Sequence, residues 1–425
     1  MMIYYFILFT LGSCAELFEG FYKEAEEIMK NMTIEDRVGQ MFFPKYYPEN
    51  ITDEIKNKKP GGYMLFADDF NHTEEYIKKY ITDMQKLANE SIGLPLGLAV
   101  DEEGGTVNRV SKFHRKEPFP SPQKIYNESG IEGILKIDQE KRDLLRKFFL
   151  NINLAPDADL SYNPNDYIYP RTIGRLPEEA ANYIGKDVEG YVNDNFTCTL
   201  KHFPGYGNNT NTHTDIAIDN RSYSTFQNED FKTFQAGIAK NAPMILVSHN
   251  IVTCKDKKYP ASISKAWHDI LRKELNFSGL ILTDDLIMDA IKKFSDNTSE
   301  AVLAVKAGND ILLTSDYYKH YDAVIEAVRD GNITENQVNR ACKRIIAWKL
   351  KYLLNHTPEP LPDPEPEKKE EEPEPDYTTL IIVTIILGVL IIGALIFFLI
   401  MWLRKKNSEK SEPGELLNEK EGENV

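Results

Sequence analysis

Charged and polar side chains follow five short apolar runs of the sequence, each near the point where the run ends. Asp101-Glu102-Glu103, Lys201-His202, Ser248-His249 and Asp284-Asp285 come directly after such runs, and Arg171 lies beyond another. Carboxylates, basic groups and imidazoles are the side chains that attack carbon, transfer protons and hold polar ligands. The pattern therefore predicts one polar site that works by acid–base or nucleophilic catalysis.

A glycine-containing loop follows Lys201-His202 in the stretch KHFPGYGNNTNTHTD, residues 201–215. Pro204 cannot donate a hydrogen bond within a sheet and should end a strand, whereas Gly205 and Gly207 suit a hinged loop. His213 lies in this loop, and a histidine can give and take protons near neutral pH. The stretch fits a strand that delivers polar groups to a site, and it fits an ordinary turn with an exposed histidine equally well.

Eight short apolar runs predict the strands that would position these groups. They are Met41–Phe43, Gly62–Phe66, Leu96–Val100, Ile152–Ala155, Thr199–Leu200, Met244–Val247, Leu280–Leu282 and Asp310–Leu313. The runs lack alternation, which is typical of strands buried on both faces. Segments of helical period lie between most of them: Glu74–Ala88, Glu178–Val192, Phe226–Ala239, Ser264–Leu275, Ser299–Ala307 and Tyr318–Arg329. Strands alternating with helices predict an α/β fold, a single (β/α)8 TIM-type barrel.

Barrels of this type carry their chemistry at the carboxyl ends of the strands, where the polar groups of this sequence also occur. A Ser–His–Asp triad with Ser248 is conceivable, but no nucleophile elbow surrounds that serine. The sequence has no metal-ligand spacing and no phosphate loop, and we predict no cofactor and no metal. A nucleophilic aspartate, a proton donor and several groups for a polyhydroxylated ligand instead fit glycoside hydrolysis.

The two ends of the chain predict a single-pass membrane protein. Residues 1–15 have a secretory signal pattern, and a bacterial lipoprotein cleavage box at Leu11–Cys14 is the alternative. Residues 378–403 contain an uninterrupted apolar run long enough to span a bilayer, followed by Arg404-Lys405-Lys406. The expected order is a signal (1–15), a barrel (16–356), a stalk (357–377), a transmembrane helix (378–403) and a cytoplasmic tail (404–425). The cell surface or an endosomal or lysosomal lumen would then hold the barrel.

Composition supports a secretory route and argues against nucleic acid. Twelve Asn-X-Ser/Thr sequons occur, a density that favours a glycoprotein of the eukaryotic secretory pathway. Cys198, Cys254 and Cys342 remain once the signal is removed, which allows one disulfide at most. The net charge is −16 and no basic stripe is present. The segment Glu412–Leu417 is similar to an acidic dileucine signal for a sorting adaptor, or is a chance pair of leucines.

The motifs resemble those of glycoside hydrolase family 3, and within it those of the single-domain β-N-acetylglucosaminidases. The similarity spans residues 29–349, with the motifs in the family's order. They are GGYMLF, VDEEGG with Arg109, RTIG at Arg171, LKHFPGYG, SHNI, PASIS followed by LNFSGLILTDDLIMDAI, and AVKAGNDILL. The resemblance implies a retaining exo-β-N-acetylhexosaminidase that removes terminal β-GlcNAc from glycans or peptidoglycan fragments.

The resemblance also implies roles for individual residues. Asp284, the first aspartate of TDDL, matches the catalytic nucleophile, and His213 matches the acid/base. The groups expected to bind substrate are Asp101, Arg109, Arg171, Lys201, His202 and, from its place at a strand end, His249.

The acid/base loop departs from the family pattern. The family has Asp-Ser-His, whereas this chain has Asn211-Thr212-His213, one residue nearer the glycines, and Tyr206 in place of the usual histidine. Asn211 can orient the imidazole but cannot stabilise its cation as a carboxylate does, so we expect a lower histidine pKa and a slow enzyme. Asp215 could support the ring from the other side. A catalytically dead GlcNAc-binding receptor and a β-glucosidase of the same family are the alternatives.

Overall fold

The computed structural model describes residues 16–209, 217–288, 291, 293–294, 298–357 and 378–408. The chain divides into two compact units, residues 1–361 and residues 362–425. In the first unit, the three described cysteines have free thiols, two of them buried.

The first unit is an α/β structure built around parallel strands, and its α/β class confirms the prediction. The described strands are β1 (Phe42–Pro44), β2 (Gly62–Met64), β3 (Gly97–Val100), β4 (Ile152–Asn153), β5 (Thr197–Phe203), β6 (Ile218–Asp219), β7 (Met244–Val247), β8 (Ile251–Val252), β9 (Leu280–Thr283) and β10 (Leu312–Thr314). A six-stranded sheet has the order β2-β3-β4-β5-β7-β9, and β1 pairs with β10. Isolated parallel bridges, Lys45 with Met64 and Leu282 with Ile311, lie between that pair and the two edges of the sheet.

Helices follow most of these strands along the chain. They are α1 (Tyr22–Met29), α2 (Ile34–Gln40), α3 (Ile51–Asp53), α4 (Glu74–Ile92), α5 (Ser111–His114), α6 (Pro122–Lys147), α7 (Pro177–Asn193), α8 (Tyr223–Asn228), α9 (Asp230–Ala239), α10 (Lys265–Asp269), α11 (Glu300–Ala307), α12 (Tyr317–Arg329) and α13 (Glu335–Tyr352). Short 3-10 turns span Glu19–Phe21, Ala67–Phe70 and Ala261–Ile263, and π turns span Glu54–Lys58 and Ile270–Glu274.

Local sequence explains where the helices begin and end. Thr73 and Ser121 cap the amino ends of α4 and α6 with their side-chain oxygens, and Thr334 forms a capping box with Gln337 at α13. Gly93, at a φ of 73°, ends α4 in the left-handed conformation that costs glycine little. These capping residues fix the positions at which α4, α6 and α13 begin and at which α4 ends.

The strands of the main sheet are buried along their whole length, as their lack of alternation predicts. The indole of Trp348 in α13 is buried, donates a hydrogen bond to Thr197 Oγ1 (3.0 Å) and packs against the ring of Phe43. Helix α13 thereby ties the carboxyl-terminal part of the unit to the amino ends of the strands.

The second unit contains one described helix, α14 (Thr378–Ser408). Its segment Ile385–Lys405 has a mean hydropathy of 3.0 over the most apolar window, and no residue of that window is buried. By length and composition, this helix can span a membrane. The expected signal (1–15), most of the stalk (357–377) and the sorting segment Glu412–Leu417 lie outside the described residues.

Candidate active site

A buried cluster of charge lies at the carboxyl ends of β3 and β5. The Glu103 carboxylate accepts two hydrogen bonds from the Arg171 guanidinium, both 2.8 Å long, and an ion pair from Lys201 Nζ at 2.6 Å. Burial acts to raise the pKa of Glu103, but the charges of Arg171 and Lys201 outweigh it and hold the pKa below its usual range. Glu103 therefore stays ionised and fixes both cations in place.

Asp101 and Arg109 form the solvent-facing side of this cluster. Lys201 Nζ donates to Asp101 Oδ1 at 2.7 Å, and Arg109 Nη2 lies 3.8 Å from Asp101 Oδ2. About a quarter of each of these two side chains is exposed, Asp101 at 24% and Arg109 at 26%, whereas Lys201 is buried. A ligand entering from solvent can therefore reach Asp101 and Arg109 directly.

The neighbouring Glu102 holds the segment after β3 in place. Its carboxylate accepts backbone N–H groups of Arg109 (3.0 Å) and Val110 (2.7 Å) and the hydroxyl of Ser111. Because these bonds fold the segment after β3 back on itself, Glu102 places Arg109 beside Asp101.

His202 is held by a carboxylate on one side and a cation on the other. Its Nδ1 lies 2.7 Å from Asp159 Oδ2, and its Nε2 lies 3.2 Å from Arg171 Nη2. A carboxylate accepts and a guanidinium donates, so Nδ1 carries the proton and Nε2 is an acceptor. Burial and the charge of Arg171 lower the pKa of His202 to about 4, and the ring is neutral at physiological pH.

Asp157 is the least satisfied member of the cluster. Its Oδ1 accepts the backbone N–H of Asp159 at 3.0 Å, but its buried Oδ2 has no hydrogen-bond partner and lies 3.5 Å from Arg171 Nε. Burial and the charge of Asp159 raise the pKa of Asp157 to about 8, and burial raises the pKa of Asp159 to about 6. Asp157 therefore holds a proton near neutral pH.

Asp284 follows β9 directly and is half-buried. Its Oδ1 accepts the backbone N–H of Asp285 at 2.8 Å, and its charge acts to raise the pKa of His202. Because β5, β7 and β9 are neighbouring parallel strands, Asp284 leaves the sheet at the same end as Lys201 and His202.

Asp285 and His249 support the segment that carries Asp284. The Asp285 carboxylate accepts the backbone N–H of Ser315 (3.0 Å) and its hydroxyl (2.5 Å). His249 Nδ1 lies 2.7 Å from Ser262 Oγ, and His249 Nε2 lies 3.1 Å from the Asp285 carbonyl oxygen. Because a carbonyl only accepts, Nε2 of His249 donates, and the ring orients the backbone next to Asp284.

The loop after β5 is anchored at both described ends. Arg221 bridges Asp219 and Asp230 at 2.9 Å each, and Asn209 Nδ2 donates to Asp219 Oδ2 at 2.9 Å. A side chain at Gly205, which has a φ of 131°, would collide with the Asp230 carboxylate. The predicted acid/base residues of this loop, Asn211, His213 and Asp215, lie outside the described residues.

Three of the residues of this site could be considered as metal ligands. Asp157, Asp159 and His202 bring possible ligand atoms to within 4.8 Å of one another. However, both ring nitrogens of His202 are engaged, and Arg171 already supplies a positive charge beside His202 and Asp157. The arrangement is that of a buried ion network.

The structure brings the predicted residues Asp101, Arg109, Arg171, Lys201 and His202 together, and Asp284 lies close to this group. Sequence reasoning missed Asp157 and Asp159. Their signal was the pair of aspartates two residues apart in APDADL, just after the β4 run, where alternate residues share one side of the chain.

Comparisons with known proteins agree with this architecture. The family model for the glycosyl hydrolase family 3 N-terminal domain matches residues 33–348. A β-hexosaminidase of Idiomarina loihiensis is 32% identical over 263 residues, 60% of this chain and 76% of that protein. An uncharacterized secreted glycosyl hydrolase of Arthroderma benhamiae is 27% identical over 314 residues, 71% of this chain and 87% of that protein.

Among solved structures, a family 3 β-N-acetylglucosaminidase from Paenibacillus sp. superposes with a TM-score of 0.72 at 25% identity, covering 79% of this chain and 65% of that chain. This chain therefore spans just under two thirds of that longer relative. The expected family and enzyme class are both confirmed. This chain belongs to glycosyl hydrolase family 3 and is a glycoside hydrolase similar to the family's β-N-acetylglucosaminidases.

Proposed function

We propose that this chain is a retaining exo-β-N-acetylhexosaminidase that hydrolyses terminal β-GlcNAc through a covalent glycosyl-enzyme intermediate. The observation that carries the proposal is the position of Asp284, half-buried directly after β9 and electrostatically close to the buried cations and His202. A carboxylate in this position has the chemistry of a glycosidase nucleophile.

In the proposed reaction, an Asp284 oxygen attacks the anomeric carbon while the bond to the leaving oxygen breaks. His213, by resemblance, gives that oxygen a proton, with Asn211 or Asp215 orienting the ring. Water then attacks the anomeric carbon, His213 takes up a proton, and the Asp284 carboxylate is released. The sugar product keeps its β configuration because the carbon is displaced twice.

The substrate-binding roles follow the charges of the site. Lys201, Asp101 and Arg109 would hold the hydroxyl and N-acetyl groups of the sugar, since the last two are partly exposed and Lys201 is fixed between two carboxylates. Arg171 and His202 would complete the set of groups around the sugar. For His249 we propose that it positions the backbone beside Asp284, because its ring nitrogens contact Ser262 and the Asp285 carbonyl.

We further propose that the eight strands β1, β2, β3, β4, β5, β7, β9 and β10 form a closed (β/α)8 barrel. The two isolated bridges at the edges of the six-stranded sheet support closure. The proposed boundaries are residues 1–15 for a signal, 16–356 for the barrel, 357–377 for a stalk, 378–403 for a transmembrane helix and 404–425 for a tail. The apolar helix and the Arg404-Lys405-Lys406 cluster support a type I topology.

The test is a panel of aryl glycosides assayed from about pH 4 to pH 8, where acid and base steps titrate. The wild-type protein should hydrolyse aryl β-GlcNAc, and a mechanism-based 5-fluoro analogue of GlcNAc should label Asp284. The Asp284→Asn variant should lose at least about a thousandfold in kcat and resist labelling.

Other outcomes separate the alternatives. Binding of GlcNAc oligomers without turnover or labelling would establish a receptor, which the Asn211 substitution favours. Cleavage of aryl β-glucoside with none of aryl β-GlcNAc would establish a β-glucosidase.

A further inference from the structure

A buried ion pair on α6 contacts the segment that follows β3. Lys141 and Asp138 are each 2% exposed, and Lys141 Nζ lies 2.8 Å from Asp138 Oδ1. Lys141 Nζ also donates a hydrogen bond to the backbone carbonyl oxygen of Glu103 at 2.6 Å. Burying an ammonium group is unfavourable unless its charge and its N–H groups are satisfied, and here one of its bonds goes to the backbone of the candidate active site.

The segment that Lys141 contacts has little conformational restraint of its own. Gly104 and Gly105 follow Glu103 with φ angles of 98° and 64°, in the left-handed region that glycine adopts at little cost. Glycine also loses the most conformational freedom on folding, so contacts from outside the turn are needed to hold it. The Glu103 N–H donates to the Val107 carbonyl oxygen at 3.0 Å, and the Glu103 carbonyl oxygen accepts from Lys141. Both backbone groups of Glu103 are thereby fixed.

The position of Glu103 decides where the cations of the site lie. Its carboxylate accepts two hydrogen bonds of 2.8 Å from Arg171 and pairs with Lys201 Nζ at 2.6 Å. Lys201 Nζ in turn donates to Asp101 Oδ1 at 2.7 Å. Because these groups are joined by short charged contacts, a displacement of Glu103 would move both cations and Asp101 with them.

A small cavity joins the ion pair on α6 to this network. Its volume is about 10 Å³, and Glu103 and Arg171 line it from one side while Asp138 and Lys141 line it from the other. A void of this size holds a single water molecule at most. The two groups of charges are therefore packed against each other with almost no free space, so a displacement on one side is passed to the other.

We propose that Lys141, held by Asp138, is a positioning residue of the active site. It fixes the Glu103 carbonyl oxygen and, through the Glu103 carboxylate, the places of Lys201 and Arg171 around the sugar. The inference rests on the proposed function, in which these two cations bind the sugar. Replacing Lys141 therefore weakens the binding of the sugar, although every group proposed to contact the sugar is still present.

Arg142 provides the matched control, because it is the next residue of α6 and is also a buried cation, at 4% exposure. Its ion pairs run to Asp194 at 2.6 Å and to Asp187 at 3.7 Å, in and just after α7. Arg142→Met removes a buried positive charge from the same helix but leaves the Glu103 carbonyl oxygen with its donor. The two variants therefore differ in their effect on the site and not in the kind of group that is lost.

The test measures the Kd of GlcNAc by isothermal titration calorimetry, and kcat and KM on aryl β-GlcNAc. All values are normalised to the folded fraction from near-UV circular dichroism. Lys141→Met should raise both Kd and KM by about tenfold, which corresponds to the loss of one charged hydrogen bond. Arg142→Met should be destabilised as well but should keep the wild-type Kd and KM.

A double variant covers the case in which Lys141→Met does not fold. Asp138→Leu/Lys141→Met replaces the ion pair by apolar groups and leaves no unpaired buried carboxylate, an exchange that proteins often tolerate. It should show the same rise in Kd and KM, because the Glu103 carbonyl oxygen again lacks its donor.

The outcomes separate this inference from the proposed function. Wild-type Kd and KM in the folded Lys141 variants, or an equal rise in Lys141→Met and Arg142→Met, would overturn the positioning role and leave the hydrolase assignment intact. A wild-type protein that neither cleaves aryl β-GlcNAc nor binds GlcNAc would instead overturn the proposed function. If the wild type binds GlcNAc without turnover, the proposed reaction is overturned, and the comparison of Kd values still decides the role of Lys141.

Discussion

Two clusters of buried charge lie at opposite ends of the parallel strands and differ in how their charges are paired. At the amino ends, Asp310 just before β10 accepts Arg272 Nη2 (2.5 Å) and the backbone N–H of Ile281 (2.9 Å) on one oxygen, and Arg344 Nη1 (3.3 Å) on the other. Arg272 Nη1 donates to the backbone carbonyl oxygens of Phe277 and Gly279. Both oxygens of the buried carboxylate are satisfied.

At the carboxyl ends, the charges are crowded and not all are satisfied. Glu103 and Asp101 share Lys201, while Asp157 keeps an unpartnered oxygen and a raised pKa. Such an arrangement costs folding free energy unless something else stabilises it. The carboxylate of the amino-end cluster therefore has the pairing expected of a stabilising interaction, whereas the unsatisfied carboxylate at the carboxyl ends is consistent with the ligand site proposed above.

Removing one buried cation from each cluster gives the sharpest test of this difference. Lys201→Met should lower kcat/KM by about a thousandfold, because Asp101 and Glu103 lose the charge between them and the sugar loses a donor. The measurement is steady-state kinetics on aryl β-GlcNAc, normalised to the folded fraction from near-UV circular dichroism. If the variant stays folded and keeps more than a tenth of wild-type kcat/KM, Lys201 does not take part in substrate binding or catalysis.

Arg272→Met is the counterpart at the amino ends. It should lower the free energy of unfolding by about 3 kcal/mol, since Asp310 is left buried with only part of its pairing. The kinetic constants of the folded fraction should match those of the wild type. Denaturant unfolding followed by tryptophan fluorescence measures the loss, and a selective fall in kcat with unchanged stability would reverse the roles of the two clusters.

A pH series separates the titrating groups of the carboxyl-end cluster. Asp157, with its pKa raised to about 8, keeps its proton in the folded chain at pH values where the unfolded chain has lost it. Its stabilising effect is complete below the unfolded pKa near 4 and is lost as the pH rises towards 8. His202, whose pKa is lowered to about 4, acts in the opposite direction and only between about pH 4 and pH 6.5.

Between about pH 6.5 and pH 8, His202 no longer contributes, and the proton held by Asp157 should make the wild type lose on the order of 2 kcal/mol more than Asp157→Asn. Thermal unfolding of Asp157→Asn over this range should show a clearly flatter slope. Asp230 and Glu54, whose pKa values burial raises to about 7, and Lys349, whose pKa burial lowers to about 7, titrate in both proteins and add the same residual slope to each. Equal slopes in the two proteins would show that Asp157 is ionised in the folded state.

The sequence predicts well which residues lie at the strand ends, but it predicts poorly which side chains pair with one another. The Met244–Val247 strand is found unchanged, and the polar residues after β3, β5 and β9 come together as expected. The run Phe226–Ala239, predicted as one helix, is divided at Glu229 into α8 and α9, because Glu229 takes non-helical backbone angles. The two-residue strands β6 and β8 are too short for any period to show.

The sequence does not reveal the hydrogen-bond and ion-pair partners of the polar groups at the strand ends. A strand end shows which polar groups reach the site, but not whether their partners will be carboxylates, cations or backbone atoms. The distinction between Glu102, bonded to backbone N–H groups, and Glu103, bonded to Arg171 and Lys201, depends on contacts from distant segments. Adjacent acids in one motif thus have different functions that only packing decides.

The smallest effect is expected from a charge pair that lies near the amino-end cluster but is exposed. Lys265 pairs with Asp269 one helical turn away at 2.7 Å, and their side chains are 69% and 39% exposed. Water and salt screen such a pair, so Lys265→Ala should change the free energy of unfolding by no more than about 0.5 kcal/mol. Measured beside Arg272→Met under the same conditions, it tests whether burial, rather than position at this end of the strands, makes a charge important. If Lys265→Ala lowered the free energy of unfolding as much as Arg272→Met does, exposed and buried charges at the amino ends would be equally important. The difference between the two clusters would then depend on their position along the strands and not on burial.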